Sequence, residues 1–260
     1  MNLSVKFAAL LISVFIAAPA LAQDKASEPK PTVSFKNRAI EATIIVDDTL
    51  KANPGFYDNL LAEGRREMTK RRAEADAAYK DDAANFDGRR YSFDRKYTGR
   101  SVAGRFVSVL RADYYNTLGA HPNREYNTIL WDLEAKKRIG IRPLFKETAD
   151  NGPALTTIAK AIRDGLVAEK KTRETDKPND PDLDTIKPKL LELAPLLLAP
   201  STEAKKSSGL IVYFSPYMVG SYAEGDYTIF VPWTAFKDHL SPEGAAVFGG
   251  DRPPGDDKSD

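Results

Sequence analysis

The spacing of hydrophobic and polar positions changes several times along this chain, and each change predicts a different element. Ile40 to Val46 is β-branched and predicts a strand. Asn53-Pro54 supplies a cap and a proline at the first helical position. Phe56, Leu60, Leu61, Met68, Ala75 and Tyr79 then continue at helical spacing to about Lys80. Arg105 to Tyr115 returns to strand, with Phe106, Leu110, Ala112 and Tyr114 on one face. Asn127 to Glu134 follows, with Ile129, Trp131 and Leu133 on one face and Thr128, Asp132 and Glu134 on the other. Pro153 opens a second helix whose stripe is Leu155, Ile158, Ala159, Ile162 and Leu166, and Lys170, Lys171 and Arg173 complement its C-terminal dipole. Leu190 to Leu198 reads as a short, proline-interrupted helix. Strands at Leu210–Phe214 and Tyr227–Val231 lead into a helix beginning near Trp233.

Strands mixed with separate helices, without regular βαβ alternation, predict an α+β fold: an antiparallel sheet with packed helices. The expected organisation is a leader at 1–22, a linker at 23–33, an N-terminal α+β subdomain at 34–104, a C-terminal α+β domain at 105–248 and a disordered tail at 249–260. A single continuous sheet is the alternative to two subdomains. The leader follows from Lys6, the apolar run Phe7–Ala18 and the small-residue site Ala20-Leu21-Ala22. At about 12 residues the run is short of the roughly 20 that span a bilayer. No later segment is long and apolar enough, so no membrane span is expected after cleavage. The expected location is the periplasm or the exterior. The tail, GGDRPPGDDKSD, offers almost nothing apolar to bury.

The absence of Cys excludes disulfides, thiolate metal sites and a lipoprotein anchor. Lys6 is the one charge of the leader, so the rest of the 260-residue chain carries 37 basic and 37 acidic residues. That balance provides no field to steer the protein onto nucleic acid or an anionic membrane. Arg65, Arg66, Lys70, Arg71 and Arg72 lie among Glu63, Glu67 and Glu74 at spacings that suit intrahelical ion pairs.

Three segments carry candidate chemistry. The loop from Asn116 to Glu125 is longer than the two to five residues usual for a hairpin. Gly119 can take positive φ and Pro122 holds His121 extended, so His121 projects from a defined turn. Tyr115, His121 and Asn123 are therefore candidates for a recognition surface. The competing reading, which a lone histidine favours, is a fold-specific turn with His121 bonded to backbone. In the aromatic segment from Tyr213 to Trp233, Tyr217 and Tyr222 fall in a Pro/Gly-rich connection, where exposed tyrosines contact proteins or stack on sugars. Core and turn packing is the competing account. The acidic stretch Glu174–Asp184 has Asp180-x-Asp182-x-Asp184, but Thr185 and Leu191 stand where a calcium loop needs Gly and Glu. No metal and no cofactor are expected. The stretch could still offer negative charge to a cationic partner. Nucleophile-elbow, zinc-protease, P-loop and dinucleotide motifs are absent, so no catalytic residues are assigned.

Residues Tyr114 to Phe145 read YYNTLGAHPNREYNTILWDLEAKKRIGIRPLF. Together with Gly209–Tyr217, Ser221–Gly225 and Val231–Trp233 they resemble an exported bacterial family of unknown function. Its best-understood relative is the ectodomain of a lysozyme-sensing anti-sigma factor (RsiV-like). The resemblance covers about residues 105–240, and residues 34–104 loosely resemble the smaller α+β region that often precedes such a domain. It implies a soluble envelope-binding protein, with lysozyme, a related muramidase, or another envelope protein or glycan as partner. The sensing relative is membrane-tethered and coupled to a cytoplasmic segment. Neither feature is read here, so an inhibitor, scavenger or accessory binder is the expectation. The rival readings are a glycan-acting envelope enzyme, with His121 and Asp132 or Glu125 in acid/base roles, and a structural module of an envelope assembly.

Overall fold

The computed structural model describes residues 30–177, 180–190 and 192–256. The leader at 1–22, the first part of the linker and the last four residues of the tail lie outside the described residues. In chain order the strands are β1 (Val33–Lys36), β2 (Ile40–Val46), β3 (Tyr91–Ala103), β4 (Phe106–Asn116), β5 (Asn123–Asp132), β6 (Lys137–Ile139), β7 (Leu196–Leu198), β8 (Gly209–Phe214) and β9 (Tyr227–Pro232). The helices are α1 (Pro54–Asp81), α2 (Ala83–Phe86), α3 (Pro153–Thr172) and α4 (Pro242–Val247). Strands β1 to β6 form one sheet in sequence order, and β7 to β9 form a second, three-stranded one. The fold is α+β. Among the described strands only β2 and β3 pair in parallel, because α1 carries the chain back between them.

The layers follow from alternation along the strands. One face of the first sheet presents Ile40, Ala42, Ile44, Phe93, Tyr97, Val107, Val109, Ile129 and Trp131 to Phe56, Leu60, Met68 and Ala75 of α1. Gly64 lets the helix sit close: an added Cβ would meet the Ile44 side chain at 3.1 Å. On the opposite face Leu110 and Tyr126 pack against Leu197, Ile211 and Tyr213 of the second sheet. That sheet turns Leu210, Val212, Tyr227, Ile229 and Val231 towards Leu155, Ile158, Ala159, Ile162 and Leu166 of α3. The order of layers is α1, six-stranded sheet, three-stranded sheet, α3. Strand β8 lies inside and is buried along all six residues, so it reads as a continuous apolar run.

Several expectations are corrected. The boundary between Gly104 and Arg105 falls in the turn of the β3–β4 hairpin, and the first sheet runs across it. Leu190–Leu198 is not a helix. It is turn followed by β7, because Pro195 withdraws a donor and Leu197 and Leu198 are drawn into the inter-sheet cores (Leu191 lies outside the described residues). After Trp233 come two short 3₁₀ turns before α4. The tail is ordered from Gly249 to Asp256 by polar contacts rather than apolar burial. Ser201 Oγ donates to Gly249 O, Trp233 Nε1 donates to Gly250 O at 3.1 Å, and Thr202 and Asp251 exchange hydrogen bonds. Asp256 pairs with both Arg252 and Arg100 of β3.

Candidate functional site

The connection from β4 to β5 is the six residues Thr117–Pro122, shorter than the sequence suggested because β5 already begins at Asn123. Asn116 Oδ1 accepts the Leu118 N–H at 2.8 Å, and Leu118 takes φ 61°. His121 is thereby set beside the β8–β9 connection. Its Nδ1 lies 2.9 Å from Pro122 O, and a carbonyl only accepts, so Nδ1 carries the proton of the neutral ring. Nε2 is then the acceptor for Tyr217 Oη at 2.9 Å. The Tyr222 ring stacks on the imidazole with centroids 3.7 Å apart, and its hydroxyl donates to the same Pro122 carbonyl at 2.8 Å. Tyr217 has φ 73°, a costly conformation for a bulky residue, and remains 61% exposed. The structure brings together His121, Tyr217 and Tyr222 from segments about a hundred residues apart.

Tyr115 and Asn123 do not join them. They are directly opposed in the β4–β5 register and face α1, where the Arg71 guanidinium lies 4.8 Å over the Tyr115 ring. The period of two sends them to the wrong side of the sheet. Other residues extend the surface instead. Tyr126 donates its hydroxyl to Asp226 at 2.9 Å, and burial together with the Asp226 charge pushes that hydroxyl up to about 12. Arg124, half-exposed, reaches Asp226 at 3.6 Å and lies opposite the exposed Tyr114. Met218 is 38% exposed. It forms part of the wall of an adjoining cavity of about 780 Å³ that also includes Phe214, Val219, Leu190, Asp184 and Glu192. His121 does not line that cavity. The free edge of β5 is closed to strand addition: Tyr126 N–H donates to Ser215 Oγ and Thr128 N–H to Asn127 Oδ1.

A buried charge cluster anchors the Tyr222 turn. Lys170 Nζ, on a side chain 1% exposed, donates to Asp180 at 2.5 Å and lies 3.7 Å from Glu224. Asp180 also accepts the Asp182 N–H, so the carboxylate that invited a calcium reading is engaged by Lys170 and by its own turn. Among the described residues no group of three or more His, Asp or Glu is placed to hold a metal ion. Burial disfavours the charge on Glu224. Hydrogen bonds from Ser221 N–H, Tyr227 Oη and Ser221 Oγ, with the Lys170 charge, outweigh it and hold the carboxyl down at about 2. A depressed carboxyl stabilises the fold fully above its unfolded value and loses that contribution as pH falls through the folded value. Stability should therefore decline between about pH 5 and pH 2, with Glu224 responsible for at most about 3 kcal/mol. Acid titration of the urea midpoint should show a shallower decline in Glu224→Gln; an unchanged slope would contradict this assignment.

Sequence reasoning missed a second cluster, beneath α1. Asp113 accepts from Arg95 at 2.6 and 2.5 Å, and both side chains are 4% exposed. Glu63 accepts from Arg111 at 2.7 Å and from Arg138. The available signal was phase: Arg95 and Asp113 fall in step with Phe93, Tyr97 and Val109, at core positions of their strands. Outside this cluster, the basic face of α1 forms the expected i,i+4 pairs, Arg71 with Glu67 and Lys70 with Glu74, and adds Arg72 with Asp76.

Residues 144–234 match the family described as a protein of unknown function (DUF3298). That match begins before α3 and ends just past β9, so it contains Tyr217 and Tyr222 but not His121. No curated protein matches the chain. Among solved structures, a member of the DUF3298 family from Bacteroides fragilis NCTC 9343 aligns with a TM-score of 0.55 at 14% identity. The alignment covers 82% of this chain and 94% of that one. A DUF3298 protein from Pseudomonas aeruginosa PAO1 aligns at 0.48 and 13% identity, over 83% and 90% of the two chains. At such identities the Bacteroides likeness concerns the fold alone. No described helix is long and apolar enough to cross a membrane.

Proposed function

We propose that this chain is an exported, non-catalytic binding protein of the cell envelope, with a contact surface centred on Tyr217, Tyr222 and His121. The observation that carries the reading is Tyr217 itself. It is a large aromatic side chain, 61% exposed, on a strained backbone and held by a histidine from a distant loop. Strain and exposure together are costly for folding and make sense where a partner covers the ring. Tyr, Met and Arg, residue types enriched at protein interfaces, surround it. The resemblance to a lysozyme-sensing ectodomain makes lysozyme or a related muramidase the partner to test first.

The glycan-acting enzyme is the weaker reading. Both His121 nitrogens are engaged, by Pro122 O and Tyr217 Oη. Asp132 is occupied by Arg105 and the N–H groups of Glu134 and Ala135. Glu125 lies on the sheet face away from Tyr217, opposite Asp113. Calorimetric titration of the chain without its leader should detect lysozyme binding, weakened about thirtyfold or more in Tyr217→Ala, a hot-spot loss of about 2 kcal/mol. Tyr115→Ala should leave it unchanged. Absence of wild-type binding to lysozyme would remove that partner, and loss in Tyr115→Ala alone would move the surface to the α1 face.

A further inference from the structure

The turn that presents Tyr217 is closed twice by one residue. Ser215, Pro216, Tyr217 and Met218 form it, with Pro216 second and Tyr217 third at φ 73°, the arrangement of a type II turn. The Met218 N–H donates to Ser215 O at 3.1 Å. Its thioether Sδ accepts the Ser215 N–H in return, at 3.3 Å. Ser215 is itself pinned to β5, where its Oγ accepts the Tyr126 N–H at 2.9 Å. A thioether therefore helps to hold a left-handed tyrosine, at a position that ordinarily falls to glycine or asparagine.

That sulfur is also the one most open to chemistry. The sequence has three methionines and no cysteine, so no thiol competes for an oxidant. Met1 lies outside the described residues. Met68 is 7% exposed, packed between α1 and the first sheet. Met218 is 38% exposed and forms part of the wall of the 780 Å³ cavity beside Tyr217, so a small oxidant reaches it from solvent.

We infer that Met218 is an oxidation site whose sulfoxide form releases the Tyr217 turn, so that a peroxide switches off the contact surface; the last step rests on the binding role proposed above. The Sδ lone pair attacks one peroxide oxygen and the O–O bond breaks. Sulfur is oxidised to the sulfoxide, and the other oxygen is reduced and leaves as water, carrying both peroxide protons. The product no longer fits. Its acceptor is an oxygen one bond beyond sulfur, which cannot take the place 3.3 Å from the Ser215 N–H unless the side chain moves. A strong dipole also enters a wall shared with Phe214, Val219 and Leu190. Without the side-chain closure, the cost of the left-handed Tyr217 is less well opposed, and its bond to His121 Nε2 loosens.

The chemistry and the turn can be read apart from any partner. Hydrogen peroxide applied to the full chain, followed by peptide mapping, should add one oxygen atom to Met218 about tenfold faster than to Met68. The sequence holds two histidines, so His239 serves as an internal control. Imidazole proton resonances of His121 should move on oxidation while those of His239 stay, and methionine sulfoxide reductase with a thiol reductant should return them. Met218→Leu should show no response of these resonances to peroxide. Lysozyme affinity should fall about tenfold in the oxidised chain. Oxidation of Met68 in the folded chain as fast as Met218, an unmoved His121 resonance, or unchanged lysozyme affinity would overturn the inference. Failure of lysozyme to bind the untreated chain would instead remove that partner from the proposed function, and the His121 resonance would still decide the inference.

Discussion

Asp113→Ala should destabilise the protein by about 3 to 5 kcal/mol, because it strips the carboxylate from a guanidinium buried between α1 and the first sheet. Arg95 and Asp113 form a two-pronged pair with both side chains 4% exposed. Water cannot reach Arg95 to replace the lost partner, and Glu63, 3.6 Å away, is already shared with Arg111 and Arg138. The control is Arg95→Met combined with Asp113→Leu, which removes both charges and keeps the volume. Buried ion pairs replaced whole by hydrocarbon are often neutral, so the double variant should recover most of the loss. Urea unfolding of the two single variants and the double variant forms the cycle. A loss below about 1 kcal/mol in Asp113→Ala would mean that the site is wetter than its burial indicates.

Lys170→Met should have an effect of similar size by the opposite route, leaving the buried Asp180 carboxylate without its closest cation and Glu224 to Lys177, a half-exposed side chain 3.6 Å away. Asp180 is 3% exposed and Glu224 8% exposed, and Lys170 lies between them. At neutral pH the expected loss is about 3 to 5 kcal/mol. The deficit should shrink as pH falls below about 5, because protonating the carboxylates removes the charge that Lys170 no longer balances. Limited proteolysis should cut the variant after α3, where the loop loses its tie to Lys170. Since Glu224 also holds the Tyr222 turn through Ser221, ligand binding should weaken as well. A variant with wild-type stability and a wild-type cleavage pattern would show that this cluster does not hold the loop.

The parts of this fold legible in the sequence are those where one physical signal dominates. Helix α3 has a proline start, an unbroken apolar stripe and lysines at its end, and it lies where the periodicity placed it. Strand β3 was missed because Asp94, Arg95 and Lys96 interrupt its alternation; the burial of Arg95 that makes it a strand residue depends on Asp113, eighteen positions later. For the same reason Glu63 read as one member of a surface ion-pair face. Of the five candidate site residues, His121, Tyr217 and Tyr222 meet, while Tyr115 and Asn123 are carried to the far face. Proximity along the chain suggested that Tyr115, Asn123 and His121 act together, but inside a strand a single residue decides the side. A cavity at the start of α1, lined by Gly55, Phe56 and Trp131, has no motif at all. It is made where residue 55 meets residue 131, and only the topology shows that they are neighbours.

The ordered tail has a bearing on how the chain reaches its fold. Arg100 sits in the third strand, beside the irregularity between Gly99 and Ser101, and its carboxylate partner is Asp256, 156 positions later. Any ribosome or translocation channel releases residue 100 long before residue 256, so the contact that ties the tail to the first sheet forms only after the residues between them have emerged. Closing so long a loop costs chain entropy before it returns any contact energy. Folding of the intact domain should be a late, slow and all-or-none event. Nascent chains truncated ahead of residue 249 would then be the species that depend on chaperones.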